Sequence, residues 1–436
     1  MSWNETQRSA PAEFACSIVE SLSRHGHQAL LAGGCVRDKL LGKIPKDYDV
    51  ATSATPDQVR QIFGHRHTIP VGAAFGVITV IGDQASGNVE VATFRCDGGY
   101  SDGRHPDQVT FSNAEHDAQR RDFTINGLFF DPLTDTVIDY VQGQVDLEKR
   151  LIRAIGVPHD RFNEDHLRML RAVRFATVLG FEIESDTLSA IQDLAEQILT
   201  VSGERIAAEM QRLLASPRRG SGLNLLGQSG LLRHLMPKWD WQSPYLHGTE
   251  SFARQSLDQA AISDSFLEVS LATMTLQQRL ASHPTAESVP WITVLSSMSL
   301  VMDEVVRAWK LSNESKAVFR AIHLHLATVA RARQLPWSQL QPTMIAPKIR
   351  AVLDVATCLQ LGGWISREDI EVCREHLRRP IDELNPAPLL TGDELKKRGF
   401  TEGPLLGRCL TELRRKQLDR ELTTIDEAWE WVRAQK

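Results

Sequence analysis

The spacing of apolar residues changes about a third of the way along the chain. In the N-terminal part, short runs rich in valine and isoleucine alternate with helical stretches, which is typical of a mixed structure. From about Glu164 onward, apolar residues recur at spacings of three and four, which predicts helices almost throughout. The predicted strands cover residues 27–32, 47–52, 76–81 and 88–94, and the predicted helices of this part include 11–25 and 36–41.

The pattern therefore predicts an α+β fold, in which a mixed-sheet head precedes an all-helical remainder. A turn-forming stretch at 82–87 makes the strands on either side of it a hairpin. Breaks are expected near Gly143, Pro237–Pro244 and Asn385–Pro388, and residues 98–106 are predicted to form a mobile loop.

Composition narrows the class of protein. The six cysteines are scattered without C-x-x-C spacing, so we expect reduced thiols, no structural zinc and a cytoplasmic location. No secretion signal or membrane span is expected. The net charge of -6 argues mildly against a nucleic-acid binder, but a local basic groove can lie on an acidic protein.

Two aspartates in one predicted strand are the first candidate site. Asp47 and Asp49 are two residues apart, so their side chains point to the same side of the strand. Two neighbouring carboxylates suit Mg²⁺, and a two-metal arrangement can activate a hydroxyl and neutralise a leaving pyrophosphate. A solvated strand end is the alternative interpretation.

The second candidate site is a glycine pair between a predicted buried strand and a helix. Gly33 and Gly34 would let backbone amides approach a phosphate, and Arg37 in the first helical turn could reach it too. A simple tight turn is the alternative. This turn shortly precedes Asp47 and Asp49 in the chain, so the phosphate-binding turn and the metal ligands can face the same pocket.

Two further segments offer carboxylates and guanidinium groups. Glu90 lies in a strand of valines, either as a third carboxylate for the metal or as an exposed acid on an edge strand. Arg120 and Arg121 could clamp a triphosphate, since guanidinium matches phosphate geometry. Asp122 either binds metal or forms a structural ion pair with a nearby arginine.

A helical stripe of charged residues could read a base. A spacing of three is expected to align Asp165, Arg168, Arg171 and Arg174 along one helix. An aspartate acceptor beside an arginine donor matches the pairing edges of cytosine and adenine. Guanine and uracil show the reverse order and would leave buried polar groups unpaired. A salt bridge on a solvated helix is the alternative.

The C-terminal part contains a glycine-punctuated segment followed by a basic helix. Arg414, Arg415 and Lys416 could hold phosphates, or they could form the solvated face of a small helical cap.

Together these motifs resemble the class II tRNA nucleotidyltransferases, the bacterial CCA-adding enzymes, and the related bacterial poly(A) polymerases. The resemblance rests on Gly33-Gly34-Cys35-Val36-Arg37-Asp38, Asp47-x-Asp49, Glu90-Val91-Ala92-Thr93-Phe94-Arg95, Arg120-Arg121-Asp122-Phe123-Thr124-Ile125-Asn126 and Glu164-Asp165-x-x-Arg168, in this order. It extends toward the C-terminus through Gly230-Leu231-Leu232 and Leu390-Thr391-Gly392-Asp393.

The resemblance implies a four-part architecture and a function. It implies a nucleotidyltransferase head at 1–150, a base-recognising neck at 151–237, a body at 238–384 and a tRNA-binding tail at 385–436. It implies CCA addition to the 3′ end of tRNA from CTP and ATP, with Mg²⁺ as cofactor and pyrophosphate released. The segment from Asp97 to Phe111 matches the flexible loop that the family uses in switching from C to A addition.

The resemblance also implies the roles of single residues. Asp47 and Asp49 would hold the metals, while Glu90 and Asp122 are the candidates for a further catalytic carboxylate. The nucleotide would be bound by the glycine turn and six charged side chains: Gly33, Gly34, Arg37, Arg121, Asp165, Arg168, Arg171 and Arg174.

Two departures bear on the alternatives. Family poly(A) polymerases carry a basic pair where this chain reads Gly72-Ala73-Ala74-Phe75, which favours tRNA end repair over poly(A) synthesis or A addition alone. The His-Asp doublets at 116–117 and 159–160 lie in the N-terminal half, so no C-terminal phosphohydrolase is expected. An RNA-binding protein with an inactive head is disfavoured by the intact Asp47 and Asp49.

Overall fold

The computed structural model describes residues 9–98, 108–239, 252–262, 264–280 and 289–435. The chain divides into two compact units, one formed by Met1–Arg218 with Leu225–Pro237 and the other by Arg219–Asn224 with Lys238–Lys436. Most of the predicted loop at 98–106, and most of the Pro237–Pro244 break, lie outside the described residues.

The strands all lie in the N-terminal part of the described chain. They are β1 (Ala29–Ala32), β2 (Asp49–Thr52), β3 (Thr68–Gly72), β4 (Val77–Ile81), β5 (Asn88–Thr93), β6 (Arg95–Gly98), β7 (Gln108–Phe111), β8 (Leu128–Asp131), β9 (Thr136–Asp139), β10 (Leu151–Ile152) and β11 (Glu182–Ile183).

Helices surround the strands and form the rest of the chain. They are α1 (Ala10–Arg24), α2 (Gly34–Leu40), α3 (Pro56–Phe63), α4 (Ala114–Gln119), α5 (Gly143–Lys149), α6 (Pro158–Glu164), α7 (Leu167–Leu179), α8 (Ser185–Leu194), α9 (Gly203–Leu214), α10 (Arg219–Gln228), α11 (Leu231–Leu235), α12 (Phe252–Gln259), α13 (Phe266–Leu280), α14 (Trp291–Ala308), α15 (Asn313–Val329), α16 (Trp337–Met344), α17 (Ile349–Gln360), α18 (Arg367–Leu377), α19 (Ile381–Leu384), α20 (Gly392–Lys397), α21 (Pro404–Leu418) and α22 (Ile425–Arg433).

The first unit is built on a seven-stranded mixed sheet with the order β3-β4-β5-β2-β1-β8-β9. Strand β1 is buried on both faces, which explains its unbroken apolar run. Strands β4 and β5 form the predicted antiparallel hairpin. Strand β2 pairs in parallel with β5 and antiparallel with β1, so it runs through the middle of the sheet. The predicted α+β class is confirmed.

Local sequence signals explain several element ends. Helix α3 begins at the predicted cap, where Thr55 and Gln58 form a reciprocal capping box and Pro56 occupies the first turn. The predicted all-helical neck has a small exception, because β10 pairs in parallel with β11. Two-residue strands of this kind leave no periodicity by which a sequence could predict them.

The second unit is helical throughout its described residues. Helix α13 is buried over nearly its whole length. Near the C-terminus a separate apolar cluster joins α20, α21 and α22: Leu390, Leu395, Leu406, Cys409, Leu413, Ala428, Trp429 and Val432.

The cations of α21 are already engaged within the tail, since Arg414 donates to the Pro386 carbonyl and Arg415 and Lys416 pair with Glu421. This arrangement favours the cap interpretation of the basic helix.

No helix among the described residues combines the length and apolarity that a membrane crossing needs.

Candidate active site

A cavity of about 670 Å³ in the first unit brings together every residue predicted for the site. Its walls come from the glycine turn after β1, from β2 and β5, from the segment after α4, and from α7 and α9. The predicted residues in the lining are Gly33, Gly34, Arg37, Asp47, Asp49, Glu90, Arg121, Asp122, Asp165, Arg168, Arg171 and Arg174.

The lining is positively charged although the whole chain is acidic. Among the described residues, eight arginines and five carboxylates line the cavity, whereas the chain carries a net charge of -6. A concave site with excess positive charge attracts anionic ligands such as a triphosphate. The acidic balance of the chain therefore does not argue against a nucleotide site.

One wall of the cavity is acidic. The strand was predicted to begin at Asp47, but β2 begins at Asp49, so Asp47 lies two residues before the strand. The alternation nevertheless continues, since Tyr48 and Val50 are buried while both aspartates are exposed toward the cavity. The two carboxylates thus share one face, which was the essential part of the prediction.

The interpretation of Glu90 as an acid on an edge strand is wrong. It is exposed, yet its strand β5 lies between β4 and β2 inside the sheet, not at an edge. The parallel register places Glu90 directly beside Asp49. Because the face of the sheet is open to the cavity here, an acid on a central strand keeps access to solvent.

The acidic residues influence one another. Partial desolvation raises the pKa of Asp49 to about 6, and the negative charges of Glu90 and Asp47 act in the same direction, against the opposing effect of Arg121. No ion pair is formed by Asp47, Asp49 or Glu90 within the described part of the chain. An acid cluster without a cationic partner is a fitting site for a divalent ion.

The glycine turn next to this wall requires glycine at its first position. Gly33 has a φ of 70°, in the left-handed region, and a Cβ there would lie 2.8 Å from Nη1 of Arg121. Gly34 begins α2 and has more room, with Nη2 of Arg37 as its nearest neighbour at 3.8 Å. Any larger residue at position 33 would strain the backbone and push the guanidinium of Arg121 aside.

Arg37 is held on the cavity wall by two side chains. Its Nη1 donates to Oδ1 of Asn126 at 2.6 Å and its Nε to Oδ1 of Asp38 at 2.8 Å, and its guanidinium lies 5.1 Å from the centre of the Phe175 ring. Asn126, which the sequence did not single out as a site residue, also donates to Asp122 at 3.0 Å. Its amide therefore links the glycine-turn side of the cavity to Asp122.

The adjacent arginines Arg120 and Arg121 share one acid. Asp117 of α4 is buried and accepts from Arg120 at 2.8 Å and from Arg121 at 3.0 Å. Arg121 also donates to the Asn126 carbonyl at 3.1 Å and lies over the ring of Phe129. The second guanidinium is thereby fixed beside the glycine turn.

Asp122 is the acid of a buried ion pair. Its Oδ2 accepts from Nε and Nη2 of Arg171 at 2.9 and 2.7 Å, while Oδ1 accepts from Asn126 and from the Phe123 amide. Burial alone would raise the pKa of Asp122, but the charge of Arg171 and these hydrogen bonds hold it at about 2. The geometry is that of the structural ion pair considered in the sequence analysis.

The predicted helical stripe is wrong for Asp165. This residue lies between α6 and α7 in an extended conformation, because one helix ends at Glu164 and the next begins at Leu167. Asp165 pairs with Arg205 at 2.7 Å, and Arg168 pairs with Glu164. The alternative interpretation, a salt bridge between Asp165 and Arg168, is therefore wrong, and both residues line the cavity.

A buried acid on α9 organises the remaining arginines. Glu209 is 3% exposed and pairs with Arg171 at 3.7 Å, with Arg212 at 3.0 Å and most closely with Arg174. Sequence reasoning missed it, although a signal existed. Glu209 falls on the apolar stripe that Ile206, Met210 and Leu213 place on one side of α9, where an acid is costly unless paired.

Three family models match separate parts of the chain. Residues 29–153 match "Poly A polymerase head domain", residues 180–242 match "Probable RNA and SrmB- binding site of polymerase A", and residues 282–432 match "tRNA nucleotidyltransferase domain 2". The first covers the acidic wall and the glycine turn.

Curated relatives match over almost the entire length. The CCA-adding enzyme of Lactiplantibacillus plantarum is 34% identical over 403 residues, which are 92% of this chain and 91% of the relative. The chain belongs to the CCA-adding enzyme family. The CCA-adding enzyme of Geobacillus thermodenitrificans is 45% identical over 235 residues, or 53% of this chain and 57% of the relative.

Solved structures of CCA-adding enzymes share the fold. The Bacillus stearothermophilus CCA-adding enzyme in complex with CTP has a TM-score of 0.72 and 29% identity, covering 97% of this chain and 98% of that one. The Thermotoga maritima CCA-adding enzyme complexed with tRNA has a TM-score of 0.65 at 18% identity, covering 99% and 96%. The predicted tRNA nucleotidyltransferase family is confirmed, and divalent-metal use comes with it.

Proposed function

We propose that this chain adds C, C and A to the 3′ end of tRNA, using CTP and ATP and releasing pyrophosphate. The observation that carries the proposal is the single cavity in which an unpaired acidic wall, a glycine turn and an arginine wall meet. Membership in the CCA-adding enzyme family, and the CTP complex of the 29% identical structure, support the choice of substrates.

Asp47 and Asp49 would hold Mg²⁺, with Glu90 as the third carboxylate. Hard oxygen donors at three neighbouring positions suit Mg²⁺, which also takes phosphate oxygens and lowers the pKa of a bound hydroxyl. Glu90 fits better than Asp122, because Asp122 already accepts hydrogen bonds on both oxygens. Among the described residues, no three acidic, His or Cys side chains form a complete metal cage by themselves. Phosphate oxygens of the substrate would serve as further ligands.

The glycine turn and two arginines would bind the triphosphate. Gly33 and Gly34 leave space next to the backbone, and Arg37 and Arg121 border that space with fixed guanidinium groups. The leaving pyrophosphate would thus develop its charge beside two pre-positioned cations. Asp122 would act as a positioning residue, since it holds Arg171 rather than facing the acidic wall.

Asp165 and Arg168 would read the base from neighbouring positions on the opposite wall. The carboxylate accepts from the amino group of cytosine or adenine, and the guanidinium donates to the adjacent ring nitrogen. Guanine and uracil reverse this order, and each mismatched buried group costs about 1–3 kcal/mol. Arg171 and Arg174 would border the same base, and the second unit would hold the acceptor arm of a cytoplasmic tRNA.

The test gives the purified protein three tRNAs that end before CCA, after C and after CC, each with one nucleotide and Mg²⁺. We expect CTP to be used on the first two and ATP on the last. Use of ATP alone would leave only A addition or poly(A) synthesis.

Two variants accompany this test. Asp47→Ala should abolish addition, whereas Glu148→Gln, an exposed acid of the same unit, should behave like the unmodified chain. Full activity in Asp47→Ala would remove the metal assignment.

A further inference from the structure

Asp165 is held by Arg205, a residue that none of the motifs in the sequence analysis contains. Arg205 of α9 donates Nη1 to Oδ1 at 3.2 Å and Nη2 to Oδ2 at 2.7 Å. The amide of Leu167 donates a third hydrogen bond to Oδ1 at 3.1 Å. A fork of two parallel N–H groups fixes the plane of a carboxylate as well as its position.

We propose that Arg205 is a specificity-determining positioning residue, which orients the Asp165 carboxylate toward the amino group of cytosine or adenine. This inference rests on the base-reading role proposed above for Asp165. It adds a residue from a separate helix to the set that selects the nucleotide.

The hydrogen-bond capacity of Asp165 supports the proposal. An ionised carboxylate has about four acceptor positions. Arg205 and the Leu167 amide occupy two on Oδ1, and Arg205 occupies one on Oδ2. One position on Oδ2 remains, which is what a single amino group of a base requires.

The backbone around Asp165 explains why such a partner is needed. Arg168 is part of α7 and is held by Glu164, by the Arg161 carbonyl at 2.9 Å and by the Arg120 carbonyl at 3.3 Å. Asp165 lies at the junction of two helices, so its orientation depends on the Leu167 amide and on Arg205. Without Arg205 the carboxylate can rotate, and the hydrogen bond to the correct base is lost while a wrong base loses nothing.

The test compares kcat/KM for CTP and UTP on a tRNA that ends before CCA. Arg205→Gln should lower the CTP-to-UTP ratio by about tenfold or more, the scale of one buried hydrogen bond. Most of the change should lie in KM for CTP. Arg205→Lys keeps the positive charge but lacks the two parallel N–H groups. Its CTP-to-UTP ratio should therefore lie between those of the unmodified chain and of Arg205→Gln. Binding of CTP and UTP measured without tRNA should show the same order.

Arg212→Gln is the matched control. It removes a charge from the same helix and the same cavity, but its acid partner is Glu209 at 3.0 Å rather than Asp165. Its effect should be equal for CTP and UTP, which leaves the ratio unchanged. A melting curve of each variant checks folding.

An unchanged ratio in Arg205→Gln, or an equal loss for CTP and UTP, would overturn the inference. If Arg205→Gln does not fold, Arg205→Lys provides the test. A CTP-to-UTP ratio in Arg205→Lys equal to that of the unmodified chain would also overturn the inference. Failure of the unmodified chain to add C or A contradicts the proposed function instead, so the two failures are distinguishable.

Discussion

The acidic wall and the arginine wall of the cavity differ in whether their carboxylates are paired with cationic side chains. On the acidic wall, Asp47, Asp49 and Glu90 lie beside one another, and the described residues give them no ion pair. On the arginine wall, Asp122 and Glu209 are buried, and each is matched to a guanidinium. The acids of the arginine wall therefore have cationic partners within the chain, whereas the acidic wall would gain its partner from the proposed Mg²⁺.

This difference predicts opposite effects of mutation. Neutralising an acid of the first wall removes repulsion and should cost activity while sparing stability. Neutralising an acid of the second wall leaves a buried positive charge without its partner and should cost stability first.

The largest effect is expected for Asp49→Asn, which tests the acidic wall. Addition of C should fall on the order of a hundred- to a thousandfold, as for loss of one preorganised electrostatic group. The melting temperature without divalent ions should rise by roughly 1–4 °C, because repulsion from Glu90 disappears. Single-turnover rates and metal-free melting curves measure the two quantities. A fall in melting temperature would show that the wall is already compensated.

Asp122→Asn tests the arginine wall and ranks second. Arg171 would lose its closer acid and keep only Glu209 at 3.7 Å, so the free energy of unfolding should fall by about 3–5 kcal/mol. Since the pKa of Asp122 is depressed to about 2, its stabilisation is present above pH 4 and is lost as the pH falls toward 2. Urea unfolding at pH 7 and pH 3 should therefore show a smaller difference between variant and unmodified chain at pH 3.

The control for this pair is Asp193→Asn. Asp193 forms an exposed pair with His159 at 3.0 Å, and such pairs contribute about 0–1 kcal/mol. Equal losses in Asp193→Asn and Asp122→Asn would contradict the distinction between exposed and buried partners.

Glu209→Gln should give the smallest of the three effects. Of the three arginines that Glu209 pairs with, Arg171 keeps Asp122 and Arg212 is exposed, so only Arg174 loses its acid. We therefore expect a loss of about 1–3 kcal/mol in the free energy of unfolding. KM should rise to a similar extent for CTP and ATP, because the arginines move without changing Asp165 and Arg168, the proposed base-reading pair. A selective loss of one nucleotide would assign Glu209 to base recognition instead.

The sequence predicted the acidic wall better than the arginine wall. Alternation alone placed Asp47 and Asp49 on one face, since that relation is local. Glu90 lies beside Asp49 only because two strands far apart in the sequence pair in parallel, and periodicity cannot show such a pairing. Asp165 was assigned to a helix because the spacing of three that it shares with Arg168 begins at this residue, whereas α7 begins at Leu167 and Asp165 is extended.

The parallel pairing of β2 with β5 also has a consequence for assembly. Parallel neighbours cannot be joined by a hairpin, and here α3, β3 and β4 form the crossover between them. Such non-local pairings form late in folding. A nascent chain that ends before Asn88 would already hold Asp47 and Asp49, but without the third acid beside them. The repulsion between Glu90 and Asp49 therefore arises only when the crossover closes, after the neighbouring strands can have begun to pair.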